Sequence, residues 1–545
     1  MKAALRTGLG MAGLALAACG APSGPSAVQG APIRVGQQLA TEQHLRRAID
    51  QMPRTLDPTL LTDIPGQRVT DDLFEGLTTL AVDGSIAPGV ARSWEVSADG
   101  LSWTFHLREA RWSNGEAVTA GDFVYAWRRT VNPKTGAEYA QSLAPIRNAL
   151  AIIEGRQPPE TLGATALDAH TLRVELNAPT PYLLALLTGN FMQPLHGATV
   201  EKWGDDWIRP EHMVSNGPFV LQESVIGNRI TLRRNPQYWD AANVRITLIT
   251  FYPMDRAEQN GRFLAGDLHF TESFSAEQFG WLKSQLGDQV VTAPYLGTFM
   301  IGLHMQQPPF ANNRALRRAL LLAVDRDILT RRVRQGLYPP AYTLVPPLPG
   351  YDSPVPEWAT WSDERRHAEA RRLYAEAGYS RDKPLRVDLT YPTDADNRQN
   401  YEAIAAMWRV NLGADVRTYN EEFRVMQQNR RLHLLQMYHF AWIGDYPDPF
   451  TFLQLFQTGF GINDGLNSNP RYDALLNAAN AEADNARRYQ LFRAAEMLLD
   501  EDAPYVPLYF YSCRHLIKPY LKGWQTNILD RNLSRHMYLL QHEGD

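Results

Sequence analysis

The sequence predicts a mixed α/β chain built from several structural units, and three observations carry that expectation. Its 545 residues are about three to four times the roughly 150 of an ordinary domain. Short segments with two-residue alternation interleave with longer segments of helical spacing. Hydrophobic residues make up 44% and charged residues 21%, a globular mix that excludes disorder, collagen-like repeats and a small disulfide scaffold. No self-similarity appears at the roughly 20–50 residue periods of solenoids and propellers.

The strand expectations rest on alternation. Ser102-Trp103-Thr104-Phe105-His106-Leu107 shows it most clearly, and residues 171–176, 229–232 and 245–251 follow the same rule. Asp83-Gly84, Asp99-Gly100 and Asn114-Gly115 supply turns between such runs. The helices announce themselves by their caps. Thr119 and Asp122 frame a helix over residues 123–130, Asn312 opens one over 314–335, and Ser362 caps 363–377 ahead of Gly378. Further helical runs cover 398–411 and 470–502. Five prolines between Pro339 and Pro349 predict a stiff loop.

The N-terminus reads as an export signal. Lys2 and Arg6 precede a short apolar stretch from Leu9 to Ala15, and Leu16-Ala17-Ala18-Cys19 follows. That stretch falls far short of the roughly 20 residues a bilayer span needs. Residues 1–18 are expected to be removed and Cys19 to be lipidated, with residues 19–32, rich in Pro, Ser, Gly and Ala, as a flexible tether. The body would then sit in the periplasm or cell envelope, held to a membrane only by its lipid. Cys513, the second of two cysteines, is left without a disulfide partner. The net charge of -5 and the lack of a basic block exclude nucleic acid as a partner.

Signatures of chemistry are absent. There is no Gly-x-Ser-x-Gly elbow, phosphate loop or zinc helix. The Gly-rich run from Gly8 to Gly13 lies inside the export signal, with no strand before it. Asp394-Ala395-Asp396-Asn397 starts like a calcium loop but continues with Arg398 and lacks the obligatory glycine, so it reads as a helix cap. His433 and His439 make at most a weak metal pair. No cofactor or metal is expected.

A series of motifs in order along the chain is more specific. It comprises Asp72-Leu73-Phe74-Glu75-Gly76-Leu77, Ile86-Ala87-Pro88-Gly89-Val90-Ala91, Trp112-Ser113-Asn114-Gly115, Asn216-Gly217-Pro218-Phe219, Asn235-Pro236-Gln237-Tyr238-Trp239-Asp240, Trp442-Ile443-Gly444-Asp445-Tyr446-Pro447 and Pro504-Tyr505-Val506-Pro507. Over residues 33–545 the chain resembles the oligopeptide-binding family of ABC-importer substrate-binding lipoproteins, family 5 of the bacterial extracellular solute-binding proteins.

That resemblance implies a two-lobed periplasmic-binding-protein fold with an inserted third domain and a hinge between the lobes. Residues 33–74, 199–296 and 513–545 would form the first lobe, 75–198 the insertion and 297–512 the other lobe, with crossings near Leu296 and Ser512. It implies capture of an oligopeptide rather than catalysis, delivery to an ABC-type membrane permease, and a monomer. Asp445 matches the carboxylate that meets the peptide ammonium, beside Trp442. Residues 61–64, ending at Ile64, and Ala441 to Ile443 match the segments that pair with the peptide backbone. Tyr139, Phe423, Trp442 and Tyr511 match aromatic cleft positions.

Departures from the family pattern fall at the other end of the ligand. His439 stands where relatives carry an Arg that meets the peptide carboxylate, and Asn397 where they carry a His. Binding of short free-carboxylate peptides is therefore expected to be weaker or pH-dependent. Gly302 replaces a Glu in a side-chain pocket and Arg430-Arg431 matches a basic pair near it, so the pocket is expected to be less welcoming to basic side chains. Two other readings remain: a different ligand on the same fold, such as a murein peptide, modified peptide, glycan or metal chelate, and an envelope hydrolase or chaperone, which would need a nucleophile–base pair or an apolar patch.

Overall fold

The computed structural model describes residues 33–542. The expected export signal, Cys19 and the tether lie outside the described residues.

Near the N-terminus, His44–Ile49 runs parallel to Leu248–Pro253, and Arg229–Arg234 and Phe219–Val225 extend the sheet antiparallel. Leu45, Ile49, Ile230, Leu232, Ile249 and Phe251 are buried in its core, as period-two patterning requires. The strand expected from residue 245 begins at Leu248, because the turn Ala241–Asn243 runs into Val244, which the core takes up before strand pairing starts.

A second, fully antiparallel sheet orders Ala91–Val96, Ser102–Leu107, Thr171–Glu175 and Ala164–Asp168. It belongs to the segment inserted between the strands of the first sheet. The helix Ala120–Val131 covers it, started by the Thr119–Asp122 capping box, and buries Phe123 and Trp127 in the core shared by both sheets.

The larger remaining part centres on a mixed five-stranded sheet, ordered Asp415–Glu421, Arg386–Pro392, Met437–Ile443, Val290–Leu303 and Tyr505–Leu516. One face packs against the helices Asp363–Glu376 and Ala395–Leu412, through Ala370, Leu373, Ile404 and Trp408. The other face packs Met300, Tyr438 and Phe440 against Phe452, Leu476 and Phe492.

Two long strands connect the parts. At one end Val290 to Pro294 pairs with Leu516 to Ser512; at the other, Thr298 to Gly302 pairs with Phe510 to Tyr505. The register breaks between Pro294 and Thr298, which places the irregularity where the chain leaves one core for the next. The architecture is two-lobed and mixed α/β.

Two helical expectations are revised. The run 314–335 is not one helix: Asn313, not Asn312, caps Arg314–Leu322, and a separate turn follows over Ile328–Val333. Buried Arg326 sits in the break and donates to the carbonyls of Leu321, Val324, Ala341 and Pro507, bonds that hold the chain off the helical path. The run 470–502 divides into Pro470–Ala481 and Asn485–Asp502, because the Asp484 side chain accepts the Arg487 N–H and opens a new helix. The proline-rich loop lies along the strand Tyr505–Leu516, bonded through Ala341 N to Leu508 O and Phe510 N to Pro339 O.

Candidate functional site: an open sheet edge beside an unpaired carboxylate

The strand Met437–Ile443 pairs with Val290–Leu303 along its whole length, from Leu303 opposite Met437 to Gly297 opposite Ile443. Its other side is different. Arg386–Pro392 reaches only Met437 and Tyr438, so among the described residues the edge from His439 to Ile443 has no strand partner. Such an edge offers a row of backbone donors and acceptors to an extended chain. Ala441 is half-buried and Ile443 exposed there.

In the first lobe, Asp63 caps the helix Ile64–Leu73 by accepting the Gly66 N–H at 2.7 Å. Ile64, at its first turn, is exposed while Leu61 is buried. No backbone hydrogen bond among the described residues uses Thr62.

Asp445 follows the open edge. Its N–H donates to Thr451 Oγ1 at 3.3 Å, and Trp442 Nε1 donates to the same oxygen at 3.3 Å, so Thr451 sets the turn that presents the carboxylate. That carboxylate has no cation and no hydrogen-bond donor among the described residues. Burial alone pushes it up to about 7. Tyr139 stands close enough that the Asp445 charge adds to burial in holding its phenol protonated; its ring stacks on Phe191 at 5.6 Å.

Other expected residues form a second group. His439 is buried, with Nδ1 2.8 Å from the Tyr401 hydroxyl and its ring 5.0 Å from Phe299. Burial, with Arg430 adding to it, pushes the imidazole down to about 3, so it is neutral throughout the physiological range. Tyr511 shares the Phe299 ring, edge-on at 6.1 Å.

Arg430 is turned to Asp464 at 2.6 Å, both nearly buried, with its guanidinium 5.0 Å from the Phe440 ring centroid. At Gly302 a Cβ would collide with the Tyr438 ring, so an aromatic side chain occupies the space an acidic one would need. Asn397 donates to the Asp394 carboxylate within a helix cap, and Phe423 opens the helix Phe423–Arg431 with half its surface exposed. The structure thus joins Asp445, Trp442 and Tyr139 at one end of the open edge and His439 and Tyr511 at a shared aromatic wall, while Arg430 and Asn397 are engaged locally.

Thr451 and Tyr401 escaped the sequence reading. Tyr401 lies four residues after Asn397 on the same helix face, a spacing that could have pointed to it. Thr451 carries no comparable signal, because a turn rather than a periodic element brings it to Asp445.

One metal-like cluster exists among the described residues: Cys513, His515 and Asp530 place ligand atoms within 4.8 Å of one another. Its donors are already engaged. His515 Nδ1 lies 2.9 Å from the Thr271 carbonyl and Nε2 2.7 Å from Asp530, and Arg68 pairs with the same carboxylate. His433 faces the Asp464 carbonyl and shares no partner with His439.

Two lobes joined by paired strands, with a sheet edge and a neighbouring carboxylate that have no partner among the described residues, fit a ligand-capturing binding protein. The profile of bacterial extracellular solute-binding proteins, family 5, matches residues 85–464, and the chain belongs to that family. It is 37% identical over 519 residues to the periplasmic oligopeptide-binding protein OppA of Escherichia coli (strain K12), covering 94% of this chain and 95% of that protein. It is 38% identical over 518 residues to the periplasmic murein peptide-binding protein MppA of the same organism, covering 94% and 96%. The crystal structure of Haemophilus influenzae OppA in complex with the peptide RPPGFSPFR superimposes with a TM-score of 0.82 at 34% identity, covering 92% of this chain and all of that one.

Proposed function

We propose that this chain captures oligopeptides between its lobes and delivers them to an ABC-type membrane permease. The observation that carries the reading is the Asp445 carboxylate, raised by burial and left without a cation, at the end of an open sheet edge. The α-ammonium of a peptide supplies the missing charge, and its backbone pairs with Ala441 to Ile443 on one side and residues 61–64 on the other. Neither contact depends on peptide side chains, so many sequences are accommodated. The OppA and MppA relatives, named for oligopeptide and murein peptide binding, support peptide as the ligand class.

In this reading residues 33–74, 199–296 and 513–545 form one lobe, 75–198 an insertion and 297–512 the other lobe, hinged at the register break between Pro294 and Thr298. The chain acts as a monomer without catalysing a reaction, anchored in the envelope through Cys19. No described helix is long and apolar enough to cross a membrane.

The test is calorimetry on unfolded, refolded, ligand-free protein with a mixed tri- to pentapeptide pool and the same pool N-acetylated. Binding of the free pool and its loss on acetylation is expected. Equal binding of both pools removes the ammonium from the mechanism, and binding of neither overturns general peptide capture.

A further inference from the structure

Tyr182 comes from the inserted segment and Tyr446 from the opposite lobe, yet their rings stack in parallel at 4.7 Å. Among the described residues, Tyr446 is the one buried side chain between Phe270 and Ile517 that joins the core of the first lobe and its insertion. Tyr182 in turn packs against the core behind the five-stranded sheet. Phe450 lies 5.7 Å from its ring and the Arg488 guanidinium 5.6 Å from it. Arg488 is buried and fixed by Asp448, which accepts two hydrogen bonds at 2.5 and 2.8 Å. The Asp448 N–H donates to the Tyr446 carbonyl at 2.8 Å, so one short turn holds both the arginine and the tyrosine. Gly461 extends this seam: a Cβ there would sit 3.3 Å from the side-chain oxygen of Gln141.

We propose that Tyr182 is a positioning residue that holds the cleft shut by stacking on Tyr446 once the neighbouring Asp445 has received a cation. The inference rests on the amine-anchored reading above. Closing the seam buries the Asp445 carboxylate, and without a partner that desolvation opposes closure. A bound ammonium removes the opposition, and the aromatic stack then adds its own attraction. Because Tyr182 touches the closing surface rather than the ammonium site, it governs how long a ligand stays rather than which ligand enters.

The experiment is stopped-flow binding of tetra-alanine and N-acetyl-tetra-alanine to the mature chain. Tyr182→Ala is expected to speed tetra-alanine dissociation by about tenfold or more while association changes by less than about threefold. Tyr182→Phe, which keeps the ring and loses only the hydroxyl that meets Tyr446, stays much closer to the wild-type rate than Tyr182→Ala does. Preference for the free amine is unchanged in both variants, and the melting temperature of ligand-free Tyr182→Ala stays near wild type while its ligand-induced rise shrinks. Should the alanine variant fail to fold, Tyr182→Leu keeps the bulk without the stack and is expected to show the same fast dissociation. An unchanged dissociation rate in a folded variant overturns the closure role and leaves the amine reading intact. Equal affinity of the wild type for free and acetylated peptide overturns the amine reading, and this proposal with it.

Discussion

Arg430 and Asp464 form an ion pair at 2.6 Å inside the lobe that carries the open edge, with Phe440 beneath the guanidinium. The Arg430 charge is therefore already neutralised within its own lobe. His439, at the position where relatives carry an arginine, is neutral and engaged with Tyr401.

C-terminal amidation is accordingly expected to change affinity by less than about threefold. A charge-assisted hydrogen bond to the carboxylate would contribute roughly 1.5–3 kcal/mol, more than tenfold in affinity. Calorimetry on matched free-acid and amide tripeptides measures the difference, and a loss of tenfold or more on amidation contradicts this account. His439 adds no pH dependence between pH 5 and 8, so the sensitivity expected from sequence does not come from its ring.

Asp445→Asn is expected to weaken free-amine peptide binding by about 2–5 kcal/mol, the loss typical of removing one partner of a buried charge pair. In the wild type, affinity rises with pH as the carboxylate, raised to about 7, ionises, and falls again as the peptide amine loses its proton near about pH 8. Stability runs the other way. In the closed arrangement the value lies above the unfolded one, so that state binds the extra proton and, without ligand, loses stability as pH rises from about 4 to 7. Asp445→Asn should therefore raise the closed share of ligand-free protein at pH 8 and leave it unchanged at pH 3, as read by small-angle scattering. A smaller closed share at pH 8 would show that the carboxylate has a partner in the fold.

Asp530→Asn is expected to lower stability by about 3–5 kcal/mol in denaturant titration. Asp530 faces both Arg68 and His515, and its charge is a main reason the imidazole is held well above its ordinary value despite burial. Below about pH 6.5 the unfolded chain also carries the imidazolium and this contribution is fully present; it is lost as pH rises through the folded value. A change under about 1 kcal/mol would remove the ion pairs from the account of lobe stability.

Cys19→Ser is expected to release the protein from membranes with peptide affinity unchanged, as measured by fractionation and calorimetry. Persistent membrane association would disprove the lipid anchor.

Several elements were legible because their causes are local. The Thr119–Asp122 box, the Ser362 cap and the alternation of residues 102–107 each depend on neighbours a few positions away, and each forms where its chemistry requires. Asp445 could be singled out by its motif, and its missing partner became visible only in the folded chain. The long helical runs misled because their breaks are set from elsewhere: Arg326 bonds to Ala341 and Pro507, groups its own segment cannot supply.

The amino-acid sequence by itself determined the mixed α/β architecture and the caps that start its helices, and its resemblance to the family pointed to the carboxylate at the centre of the candidate site. Tertiary structure alone decided that Arg430 is consumed by Asp464, that His439 stays neutral, and that Tyr182 stacks on Tyr446. Charge state and ring stacking depend on which distant groups share a buried space, and that is settled only when the chain packs.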